Sequence, residues 1–186
     1  MPEHVPVIGP LRIDVVSVGA NGGLIGMTHC PGRAQSDLFA RPGNGHVDEH
    51  VRNIADWGAR ALISLIEREE FDWYGVQSLP SLASSYGIRH LHLPIIDMGV
   101  PDERFEQAWC REGPALRDLL LAGQRIVLHC LAGLGRTGTI AARLLVELGV
   151  QPLAAVEIVR RARPGTIQTS EQLQHILKCR AAGDAA

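Results

Sequence analysis

The 186-residue chain contains no C-x-x-C pair. Its four cysteines, Cys30, Cys110, Cys130 and Cys179, stand singly. Scattered thiols of this kind exclude a zinc knuckle and argue against a disulfide framework, so reduced cysteines in a cytoplasmic protein are expected. Net charge is nearly absent as well. Eighteen basic and 20 acidic residues leave a formal charge of −2 and a pI near 6.4. A basic surface for nucleic acid or for an anionic membrane is therefore missing, and any anion must be held by a local site. No apolar run is long enough to span a bilayer, and the opening "MPEHVPVIGP" has neither the basic flank nor the apolar stretch of a signal peptide. No repeat, charge run or low-complexity linker divides the chain. What remains is the composition of a soluble globular protein, 46% hydrophobic and 20% charged, of a size that builds one core. A single domain over residues 1–186, with its core at about 12–180, is expected.

Within that domain, "LRIDVVSVG" and "GLIGMTHC" read as short strands separated by a turn at "ANGG". Residues 33–46, rich in Gly, Pro, Asn and Ser, read as an exposed loop. "VDEHVRNIADWGA" carries Val47, Val51, Ile54 and Ala55 at helical spacing, and "RALISLIE" is a continuous apolar run suited to a strand covered on both faces. A helix at 78–86, the strand "IRHLHLPI", a helix at 102–122 kinked or broken at Gly113 and Pro114, and the strand "QRIVLHC" follow. Only helices are expected thereafter, at 135–148, 152–162 and 170–181, with Pro152 opening the second and Arg163-Pro164-Gly165 stopping it. Strands alternating with helices predict an α/β fold, a mostly parallel sheet flanked by helices, with "IVLHC" central and its C-terminal end facing the site.

The stretch "VLHCLAGLGRTGTI" admits two readings. "GLGRTG" satisfies the dinucleotide pattern G-x-G-x-x-G, but that motif needs a first βα turn, a further strand and an acidic residue ending it. The acid at the right distance is Glu157, inside a helical pattern that begins at a proline, and no strand follows. The other reading is an anion cup. A short loop between a strand ending at Cys130 and a helix starting near Gly135 can turn its N–H groups inward over the positive end of that helix. Leu131, Ala132, Gly133, Leu134 and Gly135 form the cup, with Gly133 and Gly135 allowing close backbone approach. Arg136 closes it with a planar fork for two phosphate oxygens, and the same field favours a nucleophilic thiolate at Cys130.

"HCLAGLGRTG" resembles the H-C-x5-R-[S/T] signature of the protein tyrosine and dual-specificity phosphatases. "YGIRHLHLPIIDMGVPD", "RPGTIQTSEQLQHIL", "THCPGR" and "DEHVRNIADWGARAL" are similar to segments of the group in that superfamily that acts on cyclin-dependent kinases. The resemblance covers about residues 12–180. It implies a cysteine nucleophile, Cys130, and an aspartic acid that protonates the leaving oxygen. Motif matching puts that acid at Asp97, and so does its place after the strand "RHLHLPI". Asp102 is more simply read as a helix N-cap. Thr137 is either an ordinary helix-start residue or the hydroxyl that stabilises the departing thiolate. His129 is read as ordering the loop. The family pattern makes Gln168 or Gln172 a water-positioning residue, while Thr169-x-x-Gln172 is also a capping box, so both readings of Gln172 stand.

The implied activity is hydrolysis of phosphomonoesters on phosphorylated protein through a phosphocysteine, at phosphotyrosine, phosphoserine or phosphothreonine, with no cofactor and no metal. His90 and His92 share a strand face but have no carboxylate or cysteine to complete a metal site. Cys30 reads as a buried thiol, with a redox partnership to Cys130 as the alternative. A rhodanese-like sulfurtransferase would leave Asp97 without a task. A module that only binds phosphoproteins leaves the full set of Cys130, Arg136 and Asp97 unexplained. A phosphoinositide phosphatase would carry lysines where Leu131, Ala132 and Leu134 stand. The loop at 33–46 is longer than its counterpart in the kinase-directed group, so that group's substrate does not transfer.

Overall fold

The computed structural model describes residues 10–19, 22–33 and 46–183. Five strands form one sheet: β1 (Asp14–Val18), β2 (Gly23–Thr28), β3 (Ala59–Ser64), β4 (Arg89–His92) and β5 (Arg125–His129). Their order is β1-β2-β5-β3-β4, so β5 is central, as its continuous apolar run requires. Only β1 runs antiparallel; β2 and β3 flank β5 in parallel, with Thr28 and Ser64 both opposite His129. The residues after Thr28, Ser64 and His129 therefore leave the sheet side by side at one edge, where an α/β sheet binds its ligand.

The helices are α1 (His46–Asp56), α2 (Arg68–Trp73), α3 (Leu79–Ser85), α4 (Glu103–Leu121), α5 (Gly135–Glu147), α6 (Pro152–Ala162) and α7 (Ser170–Lys178). After β5 the described chain is helical throughout, and α5 packs against both α6 and α7. Ile126, Val127 and Leu128 are fully buried, as are Ile140, Ala141, Ala142 and Leu144 of α5. The strand and helix that bracket the loop are thus the best-anchored parts of the core, and burial of this kind contributes about 1.5–3 kcal/mol per large side chain.

Two local features depart from the sequence reading. The α4 helix runs unbroken through Pro114. The stripe Phe105, Trp109, Gly113, Leu116 and Leu120 buries one face along its length, and this tertiary contact outweighs the lost hydrogen bond. Gly113 lets the indole pack close: a Cβ there would sit 3.0 Å from the Trp109 indole nitrogen. The six-residue α2 was not anticipated, being too short for apolar periodicity to register. The loop read at 33–46 lies, except for its two ends, outside the described residues.

Candidate active site

Residues 130–134 join β5 to α5. Every carbonyl from Cys130 to Gly135 accepts a hydrogen bond from a group outside the loop's concave side. Cys130 O accepts from His129 Nδ1 at 3.2 Å, and Leu131 O from the Cys30 amide at 2.9 Å. Ala132 O and Gly133 O accept from Nη2 and Nε of Arg163 at 2.9 and 2.7 Å. Leu134 O takes the amides of Gly138 and Ile167, and Gly135 O the hydroxyl of Thr139 at 2.8 Å. In a trans peptide the N–H points opposite to the C=O, and the described chain has no cis bond. Six carbonyls turned outward therefore turn the amides of residues 131–136 inward, forming a cup of N–H donors at the positive end of α5. Gly133 makes the curl possible: its φ is +71°, and a Cβ would lie 2.1 Å from Thr28 O.

Cys130 ends buried at the base of this cup, with Leu131 and Gly133 also buried and Ala132 and Leu134 half-buried around it. Arg136, on the first turn of α5, is only 1% exposed. Nη1 and Nη2 donate to Oε2 and Oε1 of Glu70 at 2.6 and 3.0 Å, a bidentate pair, and Nη1 also donates to Ile95 O at 3.1 Å. Burial works against the charge of Arg136, but the bonds to Glu70 and the nearby Cys130 and Asp97 outweigh it and raise its pKa. Glu70 mirrors this: burial pushes its carboxyl up, and the bonds from Arg136, from the Glu67 amide and from Tyr74 bring it below the ordinary range. The carboxylate of Asp97 is 3.0 Å from Nη2 of the same guanidinium, and its side chain is 65% exposed. Cys130, Arg136 and Asp97 thus meet at one spot. Two buried polar atoms there, Arg136 Nε and Thr137 Oγ1, have no partner among the described residues, as suits groups that await an oxyanion.

The remaining residues divide. Asp102 is the N-cap of α4, accepting from the Phe105 amide at 3.0 Å. Gln172 is fully buried. Its Oε1 accepts from the amides of Gln168 and Thr169, and its Nε2 donates to Gly99 O at 3.1 Å. The capping reading is therefore the one the geometry fits, and the amide also ties the segment after Asp97 to α7. Gln168 is exposed, and its side chain lies over Gly135, with Oε1 2.8 Å from where a Cβ would sit. Ile167 adopts φ 57° between them, held by its own amide on Leu134 O and by Arg160 on its carbonyl. His90 and His92 have separate hydrogen-bond partners, Ser64 and Ile66 O, and among the described residues no group of three or more His, Cys, Asp or Glu could hold a metal ion.

Three residues of this site were not read from the sequence. Glu70 belongs to the unanticipated α2. Arg163, taken only as part of a helix stop, is buried and also pairs with Asp14 of β1 at 2.6 Å. Ser64 bonds His129 Nε2 at 2.6 Å. The one sequence signal for Glu70 is its place three residues after Glu67, whose side chain and amide form the capping box of α2.

This arrangement coincides with a family profile, that of the DSP-PTPase phosphatase of polymorphic toxin systems, which matches residues 39–150 and so takes in Glu70, Asp97, Cys130 and Arg136. The chain belongs to this family. Among curated members of the wider phosphatase superfamily, it is 31% identical over 134 residues to cyclin-dependent kinase inhibitor 3 of Sus scrofa, a match covering 70% of this chain and 62% of that protein. It is 26% identical over 140 residues to a probable protein tyrosine phosphatase type IVA A of Dictyostelium discoideum, covering 75% and 78% of the two. The chain thus spans about 62% of the length of the first of these relatives. Of solved structures, kinase associated phosphatase bearing a serine at its catalytic cysteine superimposes with a TM-score of 0.77 at 27% identity, over 90% of this chain and 93% of that one. Tk-PTP in its active form gives 0.61 at 25%, over 86% and 93%. The fold is that of the protein tyrosine phosphatases. No helix among the described residues is long and apolar enough to cross a membrane.

Proposed function

We propose that this chain is a cysteine-dependent protein phosphatase that hydrolyses phosphomonoesters through a phosphocysteine. The observation that carries the reading is the cup of outward carbonyls around Cys130, with Arg136 and Asp97 3.0 Å apart at its mouth. The inward amides of residues 131–136 and the Arg136 fork bind the phosphate dianion and stabilise the charge of the transition state. The Cys130 thiolate attacks phosphorus in line, the P–O bond to the substrate breaks, and Asp97 gives its proton to the leaving oxygen. Water then attacks the phosphocysteine with Asp97 as base, and the Thr137 hydroxyl receives the departing sulfur. Gln168, exposed beside Gly135, is the glutamine free to orient that water. The reaction needs no cofactor.

A sulfurtransferase would gain nothing from Asp97 beside Arg136, and a polyphosphorylated lipid head group would meet Leu131, Ala132 and Leu134 rather than cations. A phosphorylated protein is the substrate we favour, and a reducing compartment such as the cytoplasm is where a thiol nucleophile stays active. The test is Cys130→Ser. Turnover of phosphotyrosine, phosphoserine and phosphothreonine peptides should vanish while binding of a phosphopeptide, followed by calorimetry, persists; substantial residual hydrolysis would overturn the assignment.

A further inference from the structure

A chain of hydrogen bonds leads from β4 to the nucleophile, and the chemistry of its atoms fixes its direction. The carbonyl of Cys130 can only accept, so His129 Nδ1, 3.2 Å away, carries the proton. His129 is fully buried and uncharged, since burial lowers its pKa to about 3, so its Nε2 is a bare lone pair. Ser64 Oγ, 2.6 Å from that nitrogen, must therefore donate to it. A hydroxyl has one proton. Having spent it, Ser64 Oγ accepts from His90 Nε2 at 2.8 Å. The sequence is His90 Nε2–H to Ser64, Ser64 O–H to His129 Nε2, and His129 Nδ1–H to the Cys130 carbonyl, across three adjacent strands.

We infer that Ser64 and His90 are positioning residues for the nucleophile: they hold His129 in its Nδ1–H tautomer, and that tautomer keeps the Cys130 carbonyl turned out of the cup. The inference rests on the reading of Cys130 as nucleophile. Its physical content is that the peptide unit whose oxygen is held by His129 is the one whose N–H, on Leu131, faces the thiolate. Bonds in series polarise one another, so a donor at the far end strengthens that N–H. No other pair of side chains described above is connected to the base of the cup without touching it.

Ser64→Ala removes the donor to His129, and nitrogen-15 NMR of the imidazole reads the consequence directly. The wild type should show His129 protonated on Nδ1 alone, and the variant a mixture of tautomers. Alkylation of Cys130 by iodoacetamide at neutral pH should slow about threefold in the variant, a size in keeping with one weakened hydrogen bond. His90 is half-buried on the wall of a cavity of about 420 Å³ with Phe71 and Pro80, so its replacements are accommodated even if Ser64→Ala fails to fold. His90→Leu should slow alkylation in the same direction, and His90→Gln, which keeps an N–H donor, should restore it. A wild-type His129 protonated on Nε2, or alkylation unchanged in both Ser64→Ala and His90→Leu, would overturn the inference. Neither readout needs turnover, so a protein without phosphatase activity fails the functional reading and leaves this one to be judged by itself.

Discussion

The loop of residues 130–135 and the segment of residues 95–99 carry the two halves of the proposed chemistry and are held in opposite ways. The loop has all six carbonyls bonded to groups from the turn after β2, from β5, α5, the end of α6 and the segment before α7, and Arg136 beside it is 1% exposed. The acid segment is attached by few bonds. Gln172 reaches Gly99 O, Arg136 reaches Ile95 O, the Ile95 amide donates to Leu65 O, Gly99 closes a turn on Ile96 O, and Asp97 pairs with Arg136. Asp97, Ile96 and Met98 are 65%, 59% and 50% exposed, and Met98 is held at φ 60°. The division follows from what each part must do. Donors that stabilise developing charge work best when fixed in advance, because no energy is then lost to reorientation during the reaction. A proton donor must meet leaving groups of different shape, and light tethering lets it do so.

Substitutions on each side should separate the two roles. The largest effect is expected from Arg163→Met, which removes the donors to Ala132 O and Gly133 O and leaves Asp14 paired with Arg12 alone. Activity should fall about a hundredfold or more, and by the same factor for aryl and alkyl phosphates, because the cup serves every substrate alike. Steady-state rates over a leaving-group series check this, and a loss that grows with leaving-group basicity would erase the distinction between the regions. Asp97→Asn should give that opposite pattern, about a hundredfold on alkyl phosphates and less than about tenfold on activated aryl phosphates, whose leaving groups need little protonation. Gln172→Glu is milder. It keeps the acceptor that caps α7 and removes the N–H that holds Gly99, so a loss of about three- to tenfold should appear, concentrated on poor leaving groups. Were the residue a water-positioner instead, phosphoenzyme hydrolysis alone would slow, and a pre-steady-state burst would report it.

The smallest effect near neutral pH is on stability, and it too belongs to the rigid side. His29 and His129 are buried and His90 is half-buried, and this burial lowers their pKa values to about 4, 3 and 4 from 6.5. The unfolded chain binds the extra protons, so the contribution of these groups is complete above pH 6.5 and is lost as pH falls toward their folded values. Unfolding by urea at pH 5 to 6 should take up about three protons, read from the slope of stability against pH. A flat profile in that range would mean that the imidazoles are charged in the folded protein.

How much of this was legible in the sequence follows from distance along the chain. The strand, loop and helix around Cys130 are contiguous, and Asp97 stands at the end of its own strand, so local pattern and sheet topology suffice to find them. The central position of β5 follows from its unbroken apolar run. Glu70, Arg163 and Ser64 could not be found that way. They reach their targets across 66, 30 and 65 residues, and their neighbours point at most to a helix start, for Glu70, not to the distant target. Pro114 misled for a related reason. Its local cost is real, but the apolar stripe of α4 is buried on both sides of it and keeps the helix whole.

The bond between Arg163 and Asp14 spans 149 positions of the chain. The whole signature from His129 to Thr137 precedes its brace in the chain. A chain ending before residue 163 would contain Cys130, Arg136, Asp97 and Thr137 and lack the group that turns two of the cup's peptide units. The proposed centre is therefore completed late in the chain, by a contact that joins the first strand to the end of the sixth helix.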